Sequence, residues 1–64
     1  MKVGDIIKIK NPGLPFQAHI RYKITNVLKT VVHCRVVEKQ NGEYVDSHYG
    51  EDYKGIRKSL ISLA

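Results

Sequence analysis

Few residues in this sequence are spaced for chemistry. Cys34 follows His33, the two residue types of a thiolate nucleophile and its base. Such a dyad needs its side chains within hydrogen-bond reach. Successive strand residues point to opposite faces, so His33 and Cys34 should diverge, and Cys34 reads as a small buried hydrophobe. His19, His33, His48 and Cys34 are zinc-ligand types, but no two of them have the close spacing of a zinc site. Neither a metal nor a cofactor is expected. Asp46, Ser47 and His48 spell a hydrolytic triad, which adjacent strand positions cannot assemble. Glu51-Asp52 reads as a solvated turn. The 5 glycines stand singly, without the Lys-Ser/Thr signature of a phosphate loop. The chain is therefore expected not to be an enzyme.

Charge offers a second kind of chemistry. The 64 residues hold 11 Lys and Arg against 6 Asp and Glu, a net of +5. Residues 1–37 contain seven cations (Lys2, Lys8, Lys10, Arg21, Lys23, Lys29, Arg35) and one acid, Asp5. The first half thus holds more than the whole excess, an asymmetry that can mark a surface for nucleic acid or another anionic partner. Lys8 and Lys10 share one parity of a first strand, and Arg21 and Lys23 share the outward parity of a second. Four cations on one surface can neutralise phosphates in a salt-dependent way. Arg35 and Lys39 extend the set, and Phe16 in the first loop or Tyr44 on the hairpin could stack on a base. Solvated Lys on a sheet also protects edges from aggregation, so the stripe has an ordinary reading beside the functional one.

These residues need strands to hold them. Residues 3–10 alternate as a first strand, with Ile6 out of phase after Gly4-Asp5, which predicts a twist or a bulge. Residues 11–19 open with two prolines and a glycine in five positions, which is loop chemistry. Leu14 and Phe16 in that loop either fold back over the core or form a contact site. Residues 20–28 read as a second strand and residues 31–39 as a β-branched third. Asn41-Gly42 predicts a type I′ hairpin. Its register sets Gln40 against Glu43, Lys39 against Tyr44, Val37 against Asp46, Val36 against Ser47, Arg35 against His48 and Cys34 against Tyr49. Val32, Cys34, Val36, Val45, Ser47 and Tyr49 then share an apolar face. His33, Arg35, Val37, Lys39, Tyr44, Asp46 and His48 share a polar one. Residues 50–55 read as a polar loop, 56–59 as one helical turn, and 60–63 as a short last strand. Tyr22 is expected in the core.

One domain over residues 1–64 follows from the length. No apolar run approaches the roughly 20 residues of a membrane span. The single Cys permits no internal disulfide and fits a reducing, cytoplasmic compartment. No signal peptide is read at the start, and the chain reads as a whole small gene product. The opening Lys2-Val3-Gly4-Asp5-Ile6-Ile7-Lys8-Ile9, the long loop, the Asn41-Gly42 hairpin and the closing Ser59-Leu60-Ile61-Ser62-Leu63 together resemble the SH3-like superfold. An OB-like barrel is the alternative, although it places a helix where this chain has Asn-Gly. The resemblance implies an all-β, single five-stranded SH3-like barrel. The Ala-Leu-Tyr and Trp signatures of polyproline-binding SH3 domains are missing, since the chain has no Trp.

The expected function is that of a small non-catalytic binding module. One reading gives it DNA or RNA, or a nucleoprotein, on the basic face of Lys8, Lys10, Arg21, Lys23, Arg35, Lys39 and Tyr44. The other gives it a protein partner at Leu14 and Phe16 of the 11–19 loop. Oligomeric state is open at this level.

Overall fold

Alternating, β-branched segments build six strands in the computed structural model, which describes residues 1–48 and 50–64. These are β1 (Ile6–Ile9), β2 (Arg21–Val27), β3 (Val31–Gln40), β4 (Glu43–Asp46), β5 (Asp52–Arg57) and β6 (Ile61–Leu63). Two 3₁₀ turns interrupt them, Pro15–His19 and Lys58–Leu60. All pairings are antiparallel and form one open sheet, ordered β4-β3-β2-β1-β6, with β5 also paired to β3. The fold is all-β, as expected. It has six strands in an open sheet rather than five in a closed barrel.

The extra strand is β5, in the stretch that composition marks as a polar loop. Local propensity is poor there, and most of its residues are exposed. Pairing with the edge of β3 imposes the extended shape, a case of tertiary context overriding propensity. Gly55, at φ 73°, takes a backbone angle that other residues rarely adopt. Ile56 consequently lies in β5, and the helical turn begins at Lys58.

Strand β1 is shorter than the apolar run, because Val3 and Gly4 form a turn with Gly4 at φ 95°. The Gly4 N–H donates to the Ile24 carbonyl at 2.8 Å, and the Ile24 N–H donates to the Asp5 carbonyl at 2.9 Å. The irregularity expected around Gly4-Asp5 is therefore the entry of the chain into the sheet.

Asn41 and Gly42 have φ of 51° and 83°, the pair of positive angles that a type I′ turn requires. The hairpin register runs as expected from Gln40↔Glu43 through Lys39↔Tyr44 to Val37↔Asp46. The Ser47 N–H still reaches the Val36 carbonyl at 3.0 Å. Beyond that point the expected ladder is replaced. Arg35 pairs with Asp52 instead of His48, and Cys34 pairs with Tyr53 instead of Tyr49. Tyr49 itself lies outside the described residues. One long strand, β3, thus serves two partners along a single edge.

The core is small. Ile7, Ile24, Val32, Cys34 and Ile61 form the buried cluster, with Tyr22, Val27 and Ile56 packed against it. Tyr22 meets the Tyr53 ring edge-on at 5.8 Å between centroids, a favoured aromatic geometry. Two side chains depart from the expected faces. Val37 is buried on the polar face, beside Arg21 and Asp46, whereas Val36 on the core face is only half-buried. A bulge between Ile24 and Asn26 shifts the phase of β2, so Val27 packs against the core and Leu28, which simple alternation would place there, is exposed. No helix among the described residues is long and apolar enough to cross a membrane.

Candidate functional site

The candidate nucleophile separates as strand geometry requires. Cys34 is buried in the core, while His33 lines a depression of about 350 Å³ on the opposite face with Lys23, Arg35, Asp46, Asp52 and Lys54. Burial pushes the Cys34 thiol pKa up, which keeps it protonated and unreactive. Among the described residues, no three of His, Cys, Asp and Glu gather where they could hold a metal ion.

The basic stripe assembles in part. Lys23 lies directly opposite Ile6 on one side and Arg35 on the other. Directly opposed residues share a face, so by parity Lys8, Arg21, Lys23 and Arg35 all look outward. Lys39 and Tyr44 extend this face along the hairpin. Lys10 lies past the end of β1, where its N–H donates to the Leu60 carbonyl at 3.0 Å.

Acids from β4 and β5 meet this face. Lys23 Nζ stands 3.4 Å from Asp46 Oδ1, and Arg35 Nε stands 3.6 Å from Asp46 Oδ2. Arg35 Nη1 donates to Asp52 Oδ1 at 3.2 Å. The two cations at the centre of the stripe are thus matched by two carboxylates that the sequence holds in its acidic half. Arg35 Nε is shielded from solvent and has no hydrogen bond, because Asp46 stands too far away. Lys39 Nζ sits 5.8 Å from the centre of the Tyr44 ring, a cation–π contact that occupies one face of the ring proposed for base stacking.

Asp46 can be tested directly. Exposed ion pairs contribute about 0–1 kcal/mol. Asp46 makes two such pairs, so Asp46→Asn should move the thermal midpoint by no more than about 8–16 °C, while uncovering Lys23 and Arg35. Its elution from heparin should shift to higher salt. A collapse of the melting transition would show instead that Asp46 holds the sheet together.

The 11–19 loop proves to be structured. Pro15 opens a 3₁₀ turn, a position where its missing N–H costs nothing. Gln17 Oε1 accepts the N–H groups of Gly13 and Leu14 at 3.1 and 3.2 Å. Arg21 Nη1 donates to the carbonyls of Ala18 and Ile20 at 2.9 and 3.1 Å. Arg21, expected to contact phosphate, thus ties down the loop's end. Within this frame Leu14 is 51% and Phe16 60% exposed. They do not fold back over the core. Beside them, Ile9, Gly13, Gln17, Ile56, Leu60 and Ile61 line an apolar groove of about 320 Å³. Leu60 is itself exposed.

Sequence reasoning missed the bracing roles of Gln17 and Arg21. The signal available was Gln17, three residues after Leu14, at the spacing with which a side chain reaches back to the start of a turn. It also missed that Lys29, Arg57 and Lys58 line one depression, because nothing local links the two segments that hold them. No protein family, curated protein or solved structure matches the chain.

Proposed function

We propose that this chain is a non-catalytic binding module that engages a protein partner through its 11–19 loop. The observation behind this reading is the exposure of Leu14 and Phe16 on a loop braced by Gln17 and Arg21. An apolar side chain held out in water is a ready anchor. Burying one in a partner gains about 1.5–3 kcal/mol, and a pre-ordered loop loses little entropy on binding. The fold fits the reading. Strand order β5-β3-β2-β1-β6, with a 3₁₀ turn before the last strand, is similar to the SH3-like arrangement, with β4 as an added arm. Such barrels serve several kinds of partner, so the proposal rests on the surface and not on the fold. The same proposal puts the chain in the reducing cytoplasm, because its one thiol is buried and unpaired.

Nucleic acid is the second reading, favoured by the cross-strand alignment of Lys23 with Arg35 and by exposed Lys8 on the same face. The pairing with Asp46 and Asp52 weakens it.

The Leu14→Ser, Phe16→Ser double variant decides between them. It should keep the native circular dichroism and a midpoint equivalent to within about 0.5 kcal/mol, as expected of exposed positions. Proteins captured by the parent should be lost on it and kept on a Lys8→Gln, Lys23→Gln control. Unfolding of the double variant would assign both residues to the core and end the loop reading.

A further inference from the structure

Arg57 and Lys58 end β5 and begin the second 3₁₀ turn, and long-range pairing brings Lys29 beside them. Arg57 pairs with Val31. The Lys58 N–H donates to the Thr30 carbonyl at 3.1 Å, and Lys58 Nζ donates to the Lys29 carbonyl at 3.2 Å. Lys29, Thr30, Arg57, Lys58 and Ser59 line a shallow, open depression of about 550 Å³. No carboxylate among the described residues contributes to its wall. Among the described residues, ion pairs involve Lys23 and Arg35 on the sheet face, and none involves these three cations.

This depression adjoins the apolar groove. Ser59 lines both, and Leu60 follows it in the groove wall. Lys10 stands in the groove's own lining, which among the described residues also contains no acid. One continuous surface therefore runs from an apolar slot onto an uncompensated cationic shelf.

We infer that the partner segment is acidic. It is an extended peptide that seats an apolar side chain against Leu60 and Ile56 and lays neighbouring Asp or Glu residues on Lys29, Arg57 and Lys58. This rests on the protein-binding reading of the adjoining loop and adds the partner's chemistry. Charge complementarity carries it, because opposite potentials steer encounter and fix register. A phosphate backbone could use the cations, but the slot's apolar side chains, Ile9, Ile56, Leu60 and Ile61, are aliphatic and give a base no ring to stack on. A lone phosphate would need a more enclosed site than an open shelf. The cations tolerate several acidic spacings, while the slot sets which apolar side chain leads.

Selection of a displayed library of random short peptides on the immobilised chain tests this. Enriched peptides should combine a large apolar residue with flanking Asp or Glu. The best of them, made synthetically, should bind more weakly as salt rises. Lys29→Glu with Arg57→Glu should weaken it about tenfold or more, and Leu60→Ser should do the same without altering the salt dependence. Lys29→Glu alone, at an exposed turn position, should weaken it in the same direction and guards against misfolding of the double variant. Enrichment of apolar peptides without acidic bias, lost on Leu14→Ser with Phe16→Ser, would overturn the acidic partner and leave the loop reading standing. Absence of any enrichment, with oligonucleotide binding that depends on Lys29 and Arg57, would overturn both.

Discussion

Ile7→Ala should remove roughly half or more of the chain's stability at room temperature and neutral pH. Ile7 is 0% exposed and packs in a buried cluster of five side chains. Truncating a buried Ile to Ala costs about 2–5 kcal/mol, part of it the cavity left behind. At roughly 0.05–0.15 kcal/mol per residue, a domain of 64 residues has about 3–10 kcal/mol in total. The core has no second layer to absorb the loss, and no disulfide limits the unfolded chain. Cys34 supplies the readout. Its thiol is 2% exposed, and burial raises its pKa. A thiol reagent should react slowly with the parent and at least tenfold faster with Ile7→Ala, since a loss of about 2 kcal/mol or more raises the open population by more than that factor. Neutral pH is the right condition. A thiol whose pKa is raised on folding gives its full contribution below its ordinary pKa and loses it as pH rises through the raised value. Tyr22 behaves the same way, raised first by burial and then by Tyr53 and Cys34. A melting transition for Ile7→Ala close to the parent's would show that the buried cluster is not what holds the fold.

Gly50→Ala should be the most damaging single-methyl change outside the core. A Cβ at Gly50 would lie 2.9 Å from Val36 Cβ and 3.1 Å from both Ser47 Cβ and the Val36 carbonyl oxygen. The first distance is shorter than packed carbons reach, and relief requires moving β3 itself. Overpacking of this kind costs about 1–3 kcal/mol. In a domain this size each kcal/mol lowers the midpoint by about 4–8 °C. The segment has little freedom to yield, because the Gly50 N–H donates to the Ser47 carbonyl at 3.1 Å and the Ser47 N–H donates to Val36 at 3.0 Å. Gly13→Ala is the control. Nothing lies within 4 Å of its Cβ position, so its midpoint should stay near the parent's. Equal midpoints for both variants would mean that the loop shifts freely off β3.

Gly50 also explains where sequence reading stopped. The Asn41-Gly42 turn was legible because two positive φ angles have few solutions, and the register followed from it as far as Val37↔Asp46. The hydrophobic alternation of β2 and β3 was legible except at the irregularities after Ile24 and Val32, where the register shifts. Past Ser47, simple continuation of the ladder placed His48 opposite Arg35. The chain instead closes tightly against Val36, and β5 resumes the pairing with Asp52. Only close packing at Gly50 marks that departure, and a glycine alone does not announce it. The functional surface divides likewise. The parity of Arg21, Lys23 and Arg35 could be read from the sequence, because strand geometry is local. Their meeting with Asp46 and Asp52 could not, since it depends on which strands flank β3. Nor could the exposure of Leu14 and Phe16, which the hydrogen bonds of Gln17 and Arg21 enforce.

The division of labour along β3 has an engineering consequence. Its first half, with β5, closes the core through Val32 and Cys34. Its end, with β4, is an arm on which residues 38–44 are all exposed. Exposed tips that take no part in a core are where insertions are best tolerated. The Asn41-Gly42 tip is therefore a natural port for cargo. A fluorophore, an affinity handle or a second module attached there would leave the loop of Leu14 and Phe16 and the cations around Lys58 untouched.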